Sequence, residues 1–251
     1  MMNTNSTLVI VPTYNERENV SGLVEQIMKY APEADVMLVD DNSPDGTADL
    51  ADELFGADAR FSVMRRGGAR GYGRSVLDGL RRGLDAGYAR VVQMDADFSH
   101  DPATIPSLLA ASRHADVVIG SRYCEGGGIG NWPLRRKLLS RFANRYVATI
   151  TGMRVSDATS GFRCFNRRAL EYLLQGQIVA EGYAFLVEAI YRVHEAGLSV
   201  AEVPILFVDR REGQSKISRK VILESVLMPW RLRFSRYTPN DQQRLISQQD
   251  G

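Results

Sequence analysis

The chain has very little cysteine: Cys124 and Cys164 are the only two in 251 residues. Two thiols make no disulfide framework and suit a reducing compartment. Histidine is as scarce, and His100 finds no spacing partner in His114 or His194. No apolar run approaches the roughly 20 residues needed to cross a bilayer, so the chain is expected not to span a membrane. The opening stretch, Met1 to Thr7, is polar and lacks the apolar region of a signal peptide. There is no internal repeat. The glycine-rich turn after the third strand, Gly68-x-x-Gly71-x-Gly73, has the wrong spacing for a dinucleotide fingerprint. The later cluster Gly126-Gly127-Gly128 with Gly130 reads as flexible backbone at a domain edge or a mobile loop over the site.

What is present is ordinary in bulk and uneven in distribution. An apolar fraction of 44% and a charged fraction of 24% fit a globular protein. The net charge of +1 conceals two unlike halves. Residues 1–130 carry 12 Lys/Arg against 19 Asp/Glu, and residues 131–251 carry 19 against 11. The basic half suggests an anionic partner or a membrane surface, although two solvated faces of opposite sign would give the same count.

Strands and helices alternate along the first half. Thr7–Val11, Asp35–Val39, Phe61–Met64, Val91–Met94 and Asp116–Gly120 read as strands, with helices from Asn15, from Thr47, after Gly73 and near Ala103–Arg113. That rhythm predicts a mostly parallel, doubly wound sheet covered on both faces. Beyond it, Pro133 opens a helix with an apolar ridge, Leu134, Leu138, Phe142, Tyr146 and Ile150. A basic row of Lys137, Arg141 and Arg145, joined by Arg135 and Arg136, runs beside it. Such a helix can lie at a membrane interface or pack on a core with a solvated basic back. Phe162–Phe165 and Val200–Val208 read as later strands, with a helix over Tyr183–Glu195 between them. Residues 217–234 read as another amphipathic helix kinked at Pro229, and the Gln-rich tail from Thr238 is expected to be disordered.

The chemistry concentrates where strands end. Val91–Met94 delivers Asp95 and Asp97 to the carboxyl edge of the sheet, where open α/β folds bind ligands. Two adjacent carboxylates repel unless a cation neutralises them. Magnesium is commonly held by one or two carboxylates with phosphate and water. The plainer alternative is an Asx turn at Asp97 and a helix cap at Asp101-Pro102. The first strand presents Pro12-Thr-Tyr14-Asn15-Glu16 to the same edge and the second presents Asp40-Asp41, acids better suited to sugar hydroxyls and base edges than to bare phosphate.

Six motifs in order carry a resemblance. They are Val11-Pro-Thr-Tyr-Asn-Glu16, Val39-Asp-Asp-Asn-Ser-Pro-Asp-Gly-Thr47, Asp95-Ala-Asp-Phe-Ser-His-Asp-Pro102, Gly120-Ser-Arg-Tyr123, Asp157-Ala-Thr-Ser-Gly-Phe-Arg163 and Arg210-Arg-Glu-Gly-Gln-Ser-Lys216. From about Thr7 to about Phe234 the chain resembles the dolichol-phosphate (polyprenol-phosphate) mannosyltransferases, inverting glycosyltransferases of family 2. The resemblance implies a GT-A fold: a Rossmann-like, mostly parallel doubly wound sheet with C-terminal amphipathic interface helices. It implies one domain over 1–236, with a nucleotide-sugar half (1–123), an acceptor half facing the membrane (124–236) and a polar tail (237–251).

The same resemblance implies roles. Pro12, Tyr14, Glu16, Val39 and Asp41 would hold the nucleoside of GDP-mannose. Asp95 and Asp97, with Ser99 at a third metal position and the Ala96 backbone nearby, would bind Mg²⁺ or Mn²⁺ on the diphosphate. Arg122, Arg210 and Lys216 would meet donor and acceptor phosphates, with Asp97, Arg122 and Arg210 carrying catalysis. Arg135, Arg136, Asp157 and Arg163 would stand on the side of the polyprenyl phosphate. The partners would be the two substrates and a membrane surface, with room for an anchoring protein and no nucleic acid. The location would be cytoplasmic, on the inner face of a membrane. The chain departs from many relatives at Ala69-Arg70, where they carry a lysine after the glycine. It also lacks the Gln-x-x-Arg-Trp signature of processive synthases, since Met228-Pro-Trp-Arg231 does not match, and this favours transfer of a single sugar. Nothing in the sequence separates guanine from uracil, so UDP-glucose and UDP-N-acetylglucosamine stand as alternative donors. A non-catalytic nucleotide-sugar or lipid-phosphate binding module is a third reading, against which the intact Asp95 and Asp97 weigh.

Overall fold

Apolar residues fill both faces of the first strand, β1 (Thr7–Thr13): Leu8 and Ile10 on one side, Val9 and Val11 on the other. A strand so patterned must be covered twice. In the computed structural model, which describes residues 6–175, 178, 183–208 and 219–234, it lies inside a seven-stranded sheet with helices on each face. The elements that follow are α1 (Arg17–Tyr30), β2 (Ala34–Asp40), α2 (Thr47–Phe55), β3 (Phe61–Arg65), α3 (Tyr72–Asp85) and β4 (Arg90–Gln93). A short 3-10 turn (Pro102–Thr104) leads into α4 (Ile105–Ala111), β5 (Val117–Ser121) and β6 (Gly128–Ile129). Then come α5 (Leu134–Thr151), β7 (Arg163–Asn166), α6 (Arg167–Gln175), α7 (Tyr183–Glu195), β8 (Val200–Pro204), β9 (Leu206–Phe207) and α8 (Arg219–Phe234).

The strand order is β3-β2-β1-β4-β7-β5-β8, and every neighbour pairs in parallel except β7, which is antiparallel to both β4 and β5. Strand order reverses between β1 and β4, and that switch point opens the ligand crevice. Val20, Leu23, Val24 and Ile27 of α1 and Leu108 of α4 cover one face; α3, α6 and α7 cover the other. Helix α3 sits unusually close to the sheet. A Cβ on Gly83 would fall 2.6 Å from Val91, and one on Gly79 would fall 3.0 Å from both Ile10 and Val39.

The parallel sheet expected from the sequence is present, with three additions. Helix α6 was not expected. The strand foreseen near Phe162–Phe165 runs against its neighbours between β4 and β5, so the second half of the chain contributes to the core of the first. The stretch Val200–Val208 divides: Pro204 closes β8, and β9 leaves the sheet to pair with β6. The helix expected over 217–234 is α8 in its described part. The tail from 237 lies outside the described residues. Among the described residues no helix is long and apolar enough to cross a membrane.

Candidate active site

Three strand ends build the crevice, and each turns through a left-handed residue that is not glycine: Asn15 after β1, Asn42 after β2 and Phe98 after β4. Such backbone costs about 1–3 kcal/mol apiece and clusters where function requires it. Asparagine tolerates the conformation through its own hydrogen bonding, whereas the bulky Phe98 marks real strain.

At the end of β4, Asp95 is held rather than loose. Its Oδ1 accepts from the Tyr72 hydroxyl at 2.7 Å, while Gln93 Nε2 donates to the same hydroxyl at 3.0 Å. The Asp95 amide donates to His100 Nδ1 at 3.1 Å, which places the proton of the neutral imidazole on Nε2. His100 stacks on Phe162 and is buried; burial pulls its pKa down against the opposing pull of Asp95 and Asp97. Burial, then the Asp95 charge, pushes the Tyr72 phenol well above its ordinary value, so it is a hydrogen-bond donor at any working pH. Asp95 and Asp97 are partly exposed, and the side chain of Asp95 keeps 28% of its surface. Among the described residues no three of His, Cys, Asp and Glu converge as a metal cage. Two carboxylates at an open edge suit a hard cation that completes its shell with diphosphate and water. The plainer turn chemistry is also there: Ser99 N donates to Asp97 Oδ1 at 3.1 Å, and Asp101 caps the following turn. Ser99 itself is buried.

The residues expected to hold a nucleoside fall into unlike surroundings. Tyr14 stands 43% exposed at the rim, with Arg70 donating to its hydroxyl at 2.8 Å and lying over its ring at 4.8 Å. Arg70 also donates to the Asn42 carbonyl, so it bridges the segments that follow β1 and β2. Asp40 and Asp41, by contrast, are turned inward. Asp40 accepts from Thr13 and from Ser43 twice. Asp41 accepts from Gly71 N at 2.7 Å and pairs with the buried Arg66. Val39 is fully buried beneath α3, so only its main chain can meet a nucleoside. Pro12 and Glu16 are partly exposed, with Glu16 accepting from Asn19 at 2.7 Å; Ala96 is buried. Sequence reading missed Arg66 and Tyr72, because no spacing rule connects either to an acid 23 or 25 residues away.

Across the crevice, Arg122 forks onto Asp157 through Nε (2.7 Å) and Nη2 (2.6 Å), with Nη2 also reaching Thr159 at 2.6 Å. Both partners are buried. Burial raises the Asp157 pKa, but hydrogen bonds and charge from Arg122 outweigh it and hold the carboxyl below the ordinary value. Arg163 is fully buried and donates to the carbonyls of Leu186 and Ala158, both at 2.8 Å. Burial brings its pKa down to about 10, so it stays cationic. It supports the floor from below and does not face the open crevice, unlike the acceptor-side contact expected from the sequence. Arg135 and Arg136 are exposed at the start of α5, and Arg136 stacks on Trp132 at 3.7 Å. A run of rings, Trp132 to Phe207 (5.5 Å) and Phe207 to His100 (5.9 Å), joins that helix start to the Asp95 floor. Arg210 and Lys216 lie outside the described residues.

Leu134, Leu138, Leu139 and Phe142 are each at least 57% exposed on α5, and Trp230 and Phe234 are exposed on α8. The two helices are tied together: Trp230 Nε1 donates to the Tyr146 hydroxyl, which donates to the Val226 carbonyl. The ridge foreseen on α5 is therefore not the buried face: Leu134, Leu138 and Phe142 are exposed and Tyr146 and Ile150 only partly covered, while the helix sinks Asn144, Val147 and Thr151 into the protein.

Residues 8–174 match the pattern of the glycosyl transferase family 2. The chain is 44% identical over 225 residues to a polyprenol monophosphomannose synthase of Mycolicibacterium smegmatis, covering 89% of this chain and 85% of that protein. It is 40% identical to an undecaprenyl-phosphate mannosyltransferase of Micrococcus luteus, covering 88% and 90%. A solved glucosyl-3-phosphoglycerate synthase from Mycobacterium tuberculosis, in complex with Mn²⁺, UDP-glucose and phosphoglyceric acid, shares the fold with a TM-score of 0.66 at 19% identity, over 90% of this chain and 79% of that one.

Proposed function

This chain belongs to glycosyl transferase family 2 and is a glycosyltransferase, and from that premise we propose that it moves one mannose from GDP-mannose to a polyprenyl monophosphate with inversion. The observation that carries this reading is the gathering of two charge systems at one edge of the sheet. Asp95 and Asp97 follow β4 at the β1/β4 switch point, the Arg122–Asp157 pair begins where β5 ends at the same edge, and both systems act on the buried His100. The names of the two relatives at 40–44% identity supply the acceptor class and the sugar.

A phosphate monoester has its second pKa near ~6, so the acceptor oxygen is already charged at neutral pH and needs aim more than a base. Asp157 and Thr159 take the Nε–Nη2 edge of Arg122, so the guanidinium would steer the acceptor phosphate by its charge rather than through that fork. The acceptor oxygen bonds to the anomeric carbon as the carbon–oxygen bond to GDP breaks on the opposite face, and this single displacement inverts the centre. Asp95 and Asp97 would hold Mg²⁺ or Mn²⁺, which when bound neutralises charge on the departing diphosphate. Tyr14 and Arg70 frame the nucleoside, and Arg210 and Lys216 are assigned to phosphate contacts. The exposed leucines and arginines of α5, with Trp230 and Phe234 of α8, would bring the site to the cytoplasmic face of a membrane, alone or with an anchoring protein.

The test is a transfer assay of the purified chain with labelled GDP-mannose, UDP-glucose or UDP-N-acetylglucosamine, polyprenyl phosphate, and Mg²⁺ or Mn²⁺ against EDTA. Lipid-linked β-mannose from GDP-mannose alone is expected. A product from a uridine donor would move the donor assignment, and no product from any donor would sink the reading.

A further inference from the structure

The Asp95 carboxylate, just past β4, accepts a hydrogen bond from the first residue of α3. We infer that Tyr72 is a positioning residue that sets Asp95 for the metal-bound diphosphate; this rests on the metal assignment in the proposed function.

Gln93, fully buried on β4, donates to the Tyr72 oxygen and so turns the phenolic proton toward Asp95 Oδ1. The relay runs one way: amide to hydroxyl, hydroxyl to carboxylate. An aspartate at an open strand end otherwise samples several staggered rotamers, and only some present its oxygens to a ligand. The phenol occupies Oδ1 from below and fixes the carboxylate plane. Asp95 remains only partly buried, so the carboxylate still reaches the crevice.

The space for this clip is built deliberately. Tyr72 is the first residue of α3, and Gly79 and Gly83 let that helix lie almost on the sheet, which brings the ring to β4. Gly161, just before β7, leaves room for the hydroxyl: a Cβ there would stand 2.6 Å from Tyr72 Oη and 3.2 and 3.4 Å from the two Asp95 oxygens. One missing methyl therefore accommodates both members of the pair. Hydrogen-bonded partners of metal-ligating side chains typically carry about 10–100-fold in metal affinity or activity.

Mn²⁺ titrated into the protein with GDP, followed by electron paramagnetic resonance of the free ion, reads the effect directly. Tyr72→Phe keeps the ring and deletes the hydrogen bond; it should weaken Mn²⁺ binding at least tenfold. Most of the lost transfer rate should return at saturating Mn²⁺. Gly161→Ala should weaken Mn²⁺ binding by crowding the Tyr72–Asp95 hydrogen bond. Unchanged Mn²⁺ affinity in Tyr72→Phe, with the wild type binding normally, would overturn the inference and leave the metal assignment standing. A rate that stays low at every Mn²⁺ concentration would also overturn it, since the phenol would then act on something other than metal placement. If the wild type and Asp95→Asn bind Mn²⁺ equally weakly, the metal assignment fails and this inference fails with it.

Discussion

The crevice and the α5–α8 pair spend their side chains in opposite ways. Around the crevice, charge is tied to the protein itself: Asp40 to Thr13 and Ser43, Asp41 to Arg66 and Gly71, Arg122 to Asp157 and Thr159. On α5 Leu134, Leu138, Leu139 and Phe142 stand in the open beside the exposed Arg135 and Arg136, while Asn144, Val147 and Thr151 on another face are buried. The first region is shaped before any ligand arrives, which is how electrostatic preorganisation is achieved. The second is an apolar surface rimmed with positive charge, patterned for something outside the fold.

The comparison breaks most visibly at the carboxylates. Asp97→Ala should lower transfer by on the order of 10³-fold, the equivalent of several kcal/mol of charge stabilisation. Its melting temperature should barely change, because the side chain is partly exposed. Retained activity in EDTA would contradict the metal role.

Next comes the Arg122–Asp157 pair, where fold and function coincide. Arg122→Ala leaves a buried carboxylate without its partner and should cost about 3–5 kcal/mol in urea unfolding. Because the folded Asp157 carboxyl ionises below its ordinary value of 3.8, the unfolded chain binds the extra proton between the two values. The pair's contribution is thus present above about pH 4 and lost as pH falls through the folded value. Asp157→Asn should flatten that acid limb.

Smallest in stability and sharpest for the comparison are the α5 changes. Leu138→Glu with Phe142→Glu should alter unfolding free energy by no more than about 0.5 kcal/mol. Binding to anionic vesicles should drop at least tenfold, since each buried leucine or phenylalanine is worth about 1.5–3 kcal/mol. Charge reversal at Arg135 and Arg136 should lower vesicle binding by about an order of magnitude. If these variants instead lose stability and keep vesicle binding, α5 is a core helix and the contrast collapses.

Much of this was legible in residue order. The alternation of apolar strands with helices of 3.6-residue period gave the parallel sheet, and α7 begins and ends where its pattern does. The placement of β7 was not legible: four residues carry no direction, and pairing between β4 and β5 is decided by which edges are vacant. Helix α6 was hidden for the related reason that its apolar face is only Ala169, Leu170 and Leu173.

The acids show the division most clearly. Asp40-Asp41 and Asp95-x-Asp97 look alike in sequence: carboxylates at the end of a strand, before a turn. Residue order alone set their place at the sheet's ligand edge, along with the ordered motifs that mark the family. Tertiary structure decided which pair stays open at that edge. Arg66, Gly71 and Ser43 draw Asp40 and Asp41 inward, while Tyr72 holds Asp95 at the opening. Local pattern fixes where a carboxylate sits along a strand, but its exposure and charge state depend on partners dozens of residues away, and only the folded chain brings those within hydrogen-bonding distance.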